Sequence, residues 1–296
     1  MIFKAARAER LHDEAMHFEA KGRWEDAEAT YRKALELVPD RGPTLFNLGL
    51  ICKYQGRWRE SFEFSRRACE ADAADEGAAW NLGIAATALR DWKAARTAWH
   101  RCGLPVPEGS GPIVMTLGPV PVRLNPADDG EVVWTDRIDP ARAVIRSIPF
   151  PTSGFACGDT VLHDGAPVGY RKLGNAEIPV FDVLCTVEPS CLSTYVAEIS
   201  APAESDVDAL AELCCTGKVE FEHWTSSVRW LCKACSEGRP HEGHDQALAV
   251  RHSQPRRQVA FAAAEADLVE ATLQAWAGRP GCAVVRLTCE LDRKKR

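Results

Sequence analysis

The sequence predicts a multidomain chain of class α plus α+β, in which an α-helical solenoid precedes two parts that contain β-strands. Three observations predict this class. The first part repeats with a fixed period, the middle is rich in Gly and Pro between short alternating runs, and the last part alternates between strand-like and helix-like segments. We expect the three parts to span residues 1–108, 109–190 and 191–296.

Composition and charge restrict the classes of partner. Hydrophobic residues make up 46% of the 296 residues, yet no apolar run approaches the roughly 20 residues that a membrane span needs. The N-terminal stretch MIFKAARAERLHDEA lacks the apolar core of a secretory signal, so we expect a cytoplasmic protein with mostly reduced cysteines. A net charge of −6 argues against nucleic acid as the main partner. We expect the short basic tail DRKKR to be solvated.

The first part contains three similar stretches, GRWEDAEATYRKAL, GRWRESFEFSRRAC and RDWKAARTAWHRC. Their tryptophans, Trp24, Trp58 and Trp92, are 34 residues apart, and other columns of small and large residues keep the same offset. A fixed period of this length predicts stacked helical hairpins. Small residues such as Gly49 and Gly83 would let the two helices of a hairpin approach closely, while large residues fill the space between hairpins.

This pattern resembles the tetratricopeptide repeat (TPR) family over residues 8–108, with NLG triplets at Asn47–Gly49 and Asn81–Gly83. The resemblance implies an α-hairpin solenoid whose first helices line a concave groove that holds peptides or protein segments. Asn47 and Asn81 could bond a peptide backbone, and Phe46 and Trp80 could anchor an apolar side chain. An alternative is that this face packs on the C-terminal part of the chain. The groove residues implied by position are His12, Met16, Glu19, Phe46, Asn47, Leu50, Lys53, Trp80, Asn81, Ile84 and Thr87.

The middle part predicts a small β-barrel or sandwich, because short strand-like runs alternate with turn signals. A first hairpin turns at Asp129–Gly130, the run ARAVIRSIPF predicts a strand, and a second hairpin turns at Asp164–Gly165. We interpret His163 and Asp164 as residues of that second turn rather than as catalytic groups. The region is weakly similar to uncharacterised bacterial β-domains, a similarity that implies no activity.

The last part predicts the order β-α-β, an insertion, then β-α-β. The strands are STYVAEIS, VEFEHW, RQVAFAA and AVVRLTCEL. One helix starts at Ser205 with Asp208 as a capping partner, and a second carries Val269, Leu273 and Trp276 on one face. This order matches a ferredoxin-like α/β sandwich, a fold that hosts many functions and identifies none.

The insertion, residues 225–255, contains CKACSEGRPHEGH, in which Cys232, Cys235, His241 and His244 have the side chains that tetrahedral zinc prefers. A structural zinc would hold together a loop too polar to build a core. Three alternatives stay open: an unliganded solvated loop, a redox pair, and a catalytic zinc assisted by Glu237 or Glu242. The fourth ligand could also be Cys214, Cys215 or His223 in place of His244.

The sequence contains no Gly-rich phosphate loop, nucleophile elbow or metalloprotease motif. The favoured function is therefore non-enzymatic: a protein-binding adaptor whose repeat groove recognises a protein partner. A narrower version is an immunity or antitoxin-like protein, in which the acidic chain covers the active site of a basic toxin. The alternative is a zinc-dependent enzyme with its site at the loop that carries Cys232, Cys235, His241 and His244.

Overall fold

A computed structural model of the chain describes residues 2–127, 130–173, 176–224 and 256–295. The chain divides into two compact units. The helical unit is Met1–Met115 together with Asp139–Ala141, and the strand-rich unit is Thr116–Ile138 together with Arg142–Arg296. The further division of the strand-rich unit near residue 190 stays a prediction. Among the described helices, none combines the length and the apolar character that crossing a lipid bilayer requires.

The helical unit follows the predicted repeat, with two helices for each period. Its described helices are α1 (Ile2–Ala20), α2 (Trp24–Leu37), α3 (Gly42–Tyr54), α4 (Trp58–Ala71), α5 (Glu76–Ala88) and α6 (Trp92–Arg101). Each repeated Trp is the first residue of the second helix in its hairpin. The period of 34 residues seen in the sequence is therefore the length of one helical hairpin with its connection.

The turn inside each hairpin depends on a residue with a positive φ. Gly22 and Gly56 adopt φ of 70° and 69°, and Arg90 adopts 58° at the equivalent place in the third hairpin. Glycine has no Cβ atom and adopts this left-handed conformation without steric cost, whereas an arginine in the same conformation pays that cost. The third turn therefore repeats the backbone of the first two with a less suitable residue.

Close packing inside the hairpins explains the small-residue column. A Cβ atom added at Gly83 would lie 2.6 Å from the ring of Trp99, a side chain with no exposed surface. In the second hairpin a Cβ at Gly49 would lie 2.9 Å from the hydroxyl oxygen of Ser65. Ser61 donates a hydrogen bond to the Gly49 carbonyl oxygen at 3.0 Å. Ser61 thus stands where the other two repeats have Ala27 and Ala95, and its buried hydroxyl has a hydrogen-bond partner.

The first sheet of the strand-rich unit contains β1 (Pro119–Arg123), β2 (Val132–Arg137), β3 (Arg142–Ile145), β4 (Thr160–Leu173) and β5 (Ala176–Glu188). Each strand pairs with the next in antiparallel fashion, which confirms the predicted pairing of β1 and β2 as a hairpin, although Asp129 of the predicted turn lies outside the described residues. β1 also pairs with β5 in parallel, so the order of strands closes on itself. Apolar residues in the strands, together with Leu124 just after β1, form the core, among them Val122, Ile145 and Val161.

The predicted second hairpin turn at Asp164–Gly165 is wrong. β4 continues from Thr160 to Leu173 and pairs with β5 along that length. Register shifts between Leu162 and Gly169 interrupt the ladder, so the Asp-Gly pair lies in a bulged strand instead of a turn. His163 is fully buried and stacks on Phe181, with ring centroids 5.2 Å apart. The interpretation of His163 and Asp164 as turn residues is therefore wrong as well.

The second sheet contains β6 (Ser193–Ser200), β7 (Glu220–Glu222), β8 (Arg256–Ala263) and β9 (Ala283–Leu291), in the order β7-β8-β6-β9 with antiparallel neighbours. Helices α7 (Glu204–Gly217) and α8 (Ala266–Ala277) pack on one face. The predicted apolar face of α8 is confirmed, because Val269, Leu273 and Trp276 are buried. α7 begins one residue earlier than predicted, and its capping carboxylate is Asp206, which accepts from the Ala203 N–H at 3.1 Å.

Three contacts join the second sheet, and Trp224 just after β7, to the chain that follows β3. The Trp224 indole N–H donates to the Ile148 carbonyl oxygen at 3.1 Å, and a Glu222 carboxylate oxygen accepts from the Ile148 N–H at 2.8 Å. The Phe150 and Trp224 rings pack with centroids 4.7 Å apart. These contacts bury part of the sheet face that the helices leave uncovered.

The basic C-terminal tail is only partly solvated, contrary to expectation. The Arg293 guanidinium, which is 10% exposed, pairs with the fully buried Asp159 carboxylate at 2.5 Å. The same carboxylate accepts from the backbone N–H groups of Ala156 and Ser190 at 2.9 and 2.7 Å. Lys294, by contrast, pairs with Glu265 in solvent. A buried carboxylate needs a cationic partner, and the sequence supplies it from the last few residues.

Candidate partner-binding face of the helical unit

The candidate site is the set of residues that α1, α3 and α5 contribute, which we call the first-helix face. Its residues differ widely in exposure. Met16 is 48% exposed, and Glu19, Phe46, Asn47, Leu50 and Trp80 are partly buried. His12, Lys53 and Asn81 are buried, and Ile84 and Thr87 have no exposed surface. A partner in contact with this face would therefore cover more surface on α1 and α3 than on α5, where little more than the edges of Trp80 and Asn81 are accessible.

A hydroxyl from the second helix links two predicted groove residues. Tyr31 of α2 donates to a Glu19 carboxylate oxygen at 2.8 Å and accepts from the Asn47 side-chain N–H at 2.7 Å. The Tyr31 ring is fully buried and packs against the His12 ring, with centroids 5.3 Å apart. The Asn47 amide is thereby held by its nitrogen, which leaves its carbonyl oxygen as the atom able to accept another hydrogen bond.

The second asparagine is fixed by its opposite end. The Lys53 ammonium donates to the Asn81 side-chain oxygen at 3.0 Å, which leaves the Asn81 amide nitrogen as the end able to donate elsewhere. The Lys53 ammonium also lies 4.6 Å from the centre of the Tyr54 ring. Asn47 and Asn81, which are equivalent in successive repeats, thus use opposite ends of the side-chain amide within the chain: Asn47 its nitrogen and Asn81 its oxygen.

The predicted aromatic anchors are also packing residues. The Phe46 ring lies against Gly77 of the next hairpin, where an added Cβ atom would come within 3.1 Å. Trp80 packs edge-on against Trp99, with ring centroids 5.2 Å apart. Since both rings contact the neighbouring helix, a partner can reach only the part of each ring that stays exposed. Thr87 uses its hydroxyl within its own helix, donating to the Gly83 carbonyl oxygen at 2.8 Å.

Burial shifts the pKa of two ionisable groups of this face, Glu19 and His12. Burial raises the pKa of Glu19 above its ordinary value, although the hydrogen bond from Tyr31 acts in the opposite direction. Burial, together with the nearby Arg41, lowers the pKa of His12. A neutral His12 agrees with its contact to the Thr44 hydroxyl at 3.1 Å, because that hydroxyl can donate to an unprotonated ring nitrogen. The ionised carboxyl of Glu19 is therefore less well solvated than a fully exposed carboxylate.

The predicted zinc ligands Cys232, Cys235, His241 and His244 lie outside the described residues. Within the part of the chain that the structure describes, no group of three or more His, Cys, Asp or Glu side chains could hold a metal ion. The proposed replacement Cys214 is fully buried in the core of the second sheet, and burial raises its pKa to about 12. His223 lies 3.5 Å from a Glu204 carboxylate oxygen.

Tyr31 of α2 contacts this face, and the sequence interpretation missed it. It occupies the same repeat column as Ser65 and Trp99, and two large aromatic residues in that column suggested packing alone. The signal is its hydroxyl, since a buried tyrosine normally finds polar partners, and the repeat pattern already places Glu19 and Asn47 nearby. Reading the column for polarity as well as size would have predicted the bridge.

Comparison with known proteins agrees with this geometry. Residues 6–74 match the tetratricopeptide repeat family, and the N-terminal helices of the chain fit such repeats. No curated protein matches the chain.

Solved structures match about a third of the chain. The second TPR of Spaghetti (RPAP3), bound to an HSP90 peptide, is 16% identical over 34% of this chain and 96% of that one, with a TM-score of 0.33. The Sgt2 TPR domain from Aspergillus fumigatus is 23% identical over 32% and 63%, with a TM-score of 0.30. An O-GlcNAc transferase variant from Thermobaculum terrenum is 24% identical over 33% and 19%, with a TM-score of 0.31.

Proposed function

We propose that the chain is a non-enzymatic binding protein whose helical unit holds an extended segment of a partner protein along the first-helix face. The observation that carries the proposal is the opposite orientation of Asn47 and Asn81. One is held by its nitrogen and presents an acceptor, and the other is held by its oxygen and presents a donor. An extended backbone offers N–H and C=O groups that suit such a pair.

Apolar surface beside Asn47 supports the same function. Met16 is 48% exposed, and Leu50 and Phe46 are partly exposed on the neighbouring helix. Apolar side chains of a partner would gain free energy by covering this surface, while the fixed asparagines would set the direction of its backbone. We therefore expect the partner segment to combine an extended backbone with apolar side chains.

Glu19 adds a charge preference to the proposed site. Its carboxylate is partly buried, and burial raises its pKa, so the ionised form lacks some of the solvation it would have in water. A basic side chain of a partner placed there would compensate for this loss. The partner favoured by the face is thus an extended apolar segment with a Lys or Arg near Glu19.

Selection of displayed random peptides on the immobilised full-length chain tests this proposal. Selected peptides would be synthesised and their affinities measured by fluorescence polarisation. We expect Asn47→Ala and Phe46→Ala to weaken binding at least about tenfold, a loss of about 1.4 kcal/mol. Gln55→Ala is the matched control, because it removes an exposed amide at the end of the same helix.

The outcomes separate the possibilities clearly. Peptides that bind wild type and Gln55→Ala alike but lose affinity for Asn47→Ala support the first-helix face. Equal affinity for all the variants would place binding elsewhere and remove the support for this face. A selection that enriches no peptide would contradict the proposed function itself. Circular dichroism of each variant shows whether the helices are intact.

Other parts of the interpretation rest on fewer observations. The narrower immunity or antitoxin-like role is supported only by the net charge of −6, which would favour a basic partner. The structural zinc at Cys232, Cys235, His241 and His244, and the alternative of a zinc-dependent enzyme, stay predictions from the sequence alone. The strand order β7-β8-β6-β9 with two helices on one face supports the ferredoxin-like interpretation, and the closed order of the first sheet supports a small barrel.

A further inference from the structure

We propose that β9 is a self-association surface, at which two copies of this chain pair their β9 strands in antiparallel fashion. The proposal concerns the strand-rich unit and does not depend on the function of the helical unit. It starts from the position of β9 at one end of the second sheet, where β6 is its neighbour on one side. Within the described residues, no strand pairs with its other side.

An edge strand carries a row of backbone N–H and C=O groups that can pair with another strand. β9 is the longer of the two edges, with nine residues against three in β7. Its surface is accessible: Ala283, Arg286, Cys289 and Glu290 are exposed, and Val285 is 48% exposed. The longer edge is therefore the better candidate for pairing.

The charge pattern of β9 identifies the occupant as a second copy in antiparallel orientation. Arg286 stands in the first half of the strand and Glu290 near its end. Arg286 and Thr288 are two residues apart in the regular part of the ladder, so their side chains point to the same face of the sheet. Thr288 donates to a Glu290 carboxylate oxygen at 2.6 Å, which places Glu290 on the same face. The three side chains form one polar row along the edge.

Pairing two such rows about Thr288 makes the charges complementary. In an antiparallel pair centred on Thr288, Arg286 of each copy faces the end of the other strand that carries Glu290, which is within reach of the long arginine side chain across the bulge. A parallel pair would instead place Arg286 opposite Arg286 and Glu290 opposite Glu290. The charges of β9 therefore favour the antiparallel twofold pair, which has two symmetric ion pairs. They disfavour the parallel pair, in which like charges face each other.

The irregularities of β9 limit the contact to a closed dimer. Register shifts against β6 occur near Val285 and near Glu290, so the regular ladder spans the four residues Arg286–Cys289. Bulges of this kind commonly prevent an edge from recruiting strands without limit. Twofold pairing uses β9 of both copies, and the remaining edge, β7, is only three residues long. We therefore expect a weak dimer without further growth.

Sedimentation velocity of the full-length chain over a range of concentrations tests the proposal under reducing conditions. We expect a reversible monomer–dimer equilibrium. Arg286→Glu and Glu290→Arg should each weaken the dimer about tenfold or more, because two attractive pairs become two repulsive ones. The double variant, which exchanges the charges, should recover most of the wild-type affinity. Glu220→Arg, an exposed charge change on the opposite edge, should leave the equilibrium unchanged.

Mixing the two single variants gives the sharpest readout. Each is weakened as a homodimer, but in the mixed dimer both acidic side chains of the Arg286→Glu copy face basic side chains of the Glu290→Arg copy. The mixture should therefore associate about as well as wild type, and hydrogen exchange should show the β9 amides protected in the dimer. A chain that stays monomeric at every concentration contradicts the proposal, including the case in which this edge binds a strand of a different protein. A dimer insensitive to the charge changes would equally overturn it.

Discussion

The helical and strand-rich units use polar contacts over different distances along the chain. In the helical unit, side-chain bonds such as His12 to Thr44 and Lys53 to Asn81 join residues about one repeat apart. In the strand-rich unit, Arg293 reaches back 134 residues to Asp159, and Trp224 reaches back 76 residues to Ile148. Loss of one such bond in the helical unit affects neighbouring repeats, whereas loss of one in the strand-rich unit separates segments that are far apart along the chain.

The largest expected effect is therefore the loss of Arg293. Arg293→Ala leaves the buried Asp159 carboxylate without its cation, which should destabilise the strand-rich unit by roughly 3–5 kcal/mol. The rate at which a thiol reagent labels a buried cysteine measures how often the unit around that cysteine unfolds, so one buried cysteine in each unit follows the stability of that unit. We expect faster labelling of Cys214 in the strand-rich unit and unchanged labelling of Cys52 in the helical unit, measured by mass spectrometry.

Lys294→Ala is the matched control for this change. It removes the neighbouring positive charge, but Lys294 and Glu265 are both mostly exposed, so Cys214 labelling should stay at the wild-type rate. If both variants accelerate labelling equally, the tail acts through its overall charge and not through the pair with Asp159. If neither does, the buried ion pair contributes nothing to the stability of this unit.

Gly83→Ala tests the opposite kind of determinant, a local steric one. The new methyl group would overlap the Trp99 ring, which is 2.6 Å from the added Cβ position and fully buried. We expect a loss of about 1–3 kcal/mol in the free energy of unfolding of the helical unit, measured with urea. The change should accelerate labelling of Cys52 while leaving Cys214 as in wild type.

A second substitution identifies the cause. Trp99→Phe shortens the ring that the new methyl group meets, so the double variant should be more stable than the sum of the two single changes implies. Strictly additive losses would show that Gly83 acts through backbone conformation and not through contact with Trp99. The result distinguishes a packing constraint inside one hairpin from a general intolerance of the helix.

The same difference explains how much of the fold was predictable. The 34-residue period predicted the hairpins of the helical unit, because the helix–helix packing positions recur in each repeat and leave a periodic pattern in the sequence. In the strand-rich unit, alternating apolar and polar residues predicted the individual strands. Around Asp164–Gly165 the bulges of β4 interrupt this alternation, so the Asp-Gly pair was interpreted as a turn between two strands. Nothing local to Arg293 indicates that Asp159 lies beside it.

The candidate site divides in the same way. Position within the repeat was enough to select the residues of the first-helix face, including both asparagines. It could not show which end of each amide is already bonded, because that depends on Tyr31 in one repeat and on Lys53 in the other. Burial of Ile84 and Thr87 likewise depends on the folded chain and not on the repeat column.

The smallest expected effect concerns pH and Glu19. Because burial raises its pKa in the folded state, the folded protein holds this proton more tightly than the unfolded chain does. Its contribution to stability is therefore complete below the ordinary pKa of a glutamate and declines as pH rises through the raised value. Glu19→Gln keeps an oxygen that accepts from the Tyr31 hydroxyl but carries no charge, so it should lack this decline.

Urea unfolding gives the free energy of unfolding of wild type and of Glu19→Gln at mildly acid and at neutral pH. The difference between the two proteins at each pH isolates Glu19, because the contributions of the other titrating groups cancel. We expect the glutamine variant to gain stability relative to wild type as pH rises. A difference that stays constant across this range would mean that Glu19 titrates alike in the folded and unfolded chain. Its carboxylate would then have no unmet solvation for a basic side chain of a partner to restore, and the charge preference assigned to the first-helix face would lose its basis.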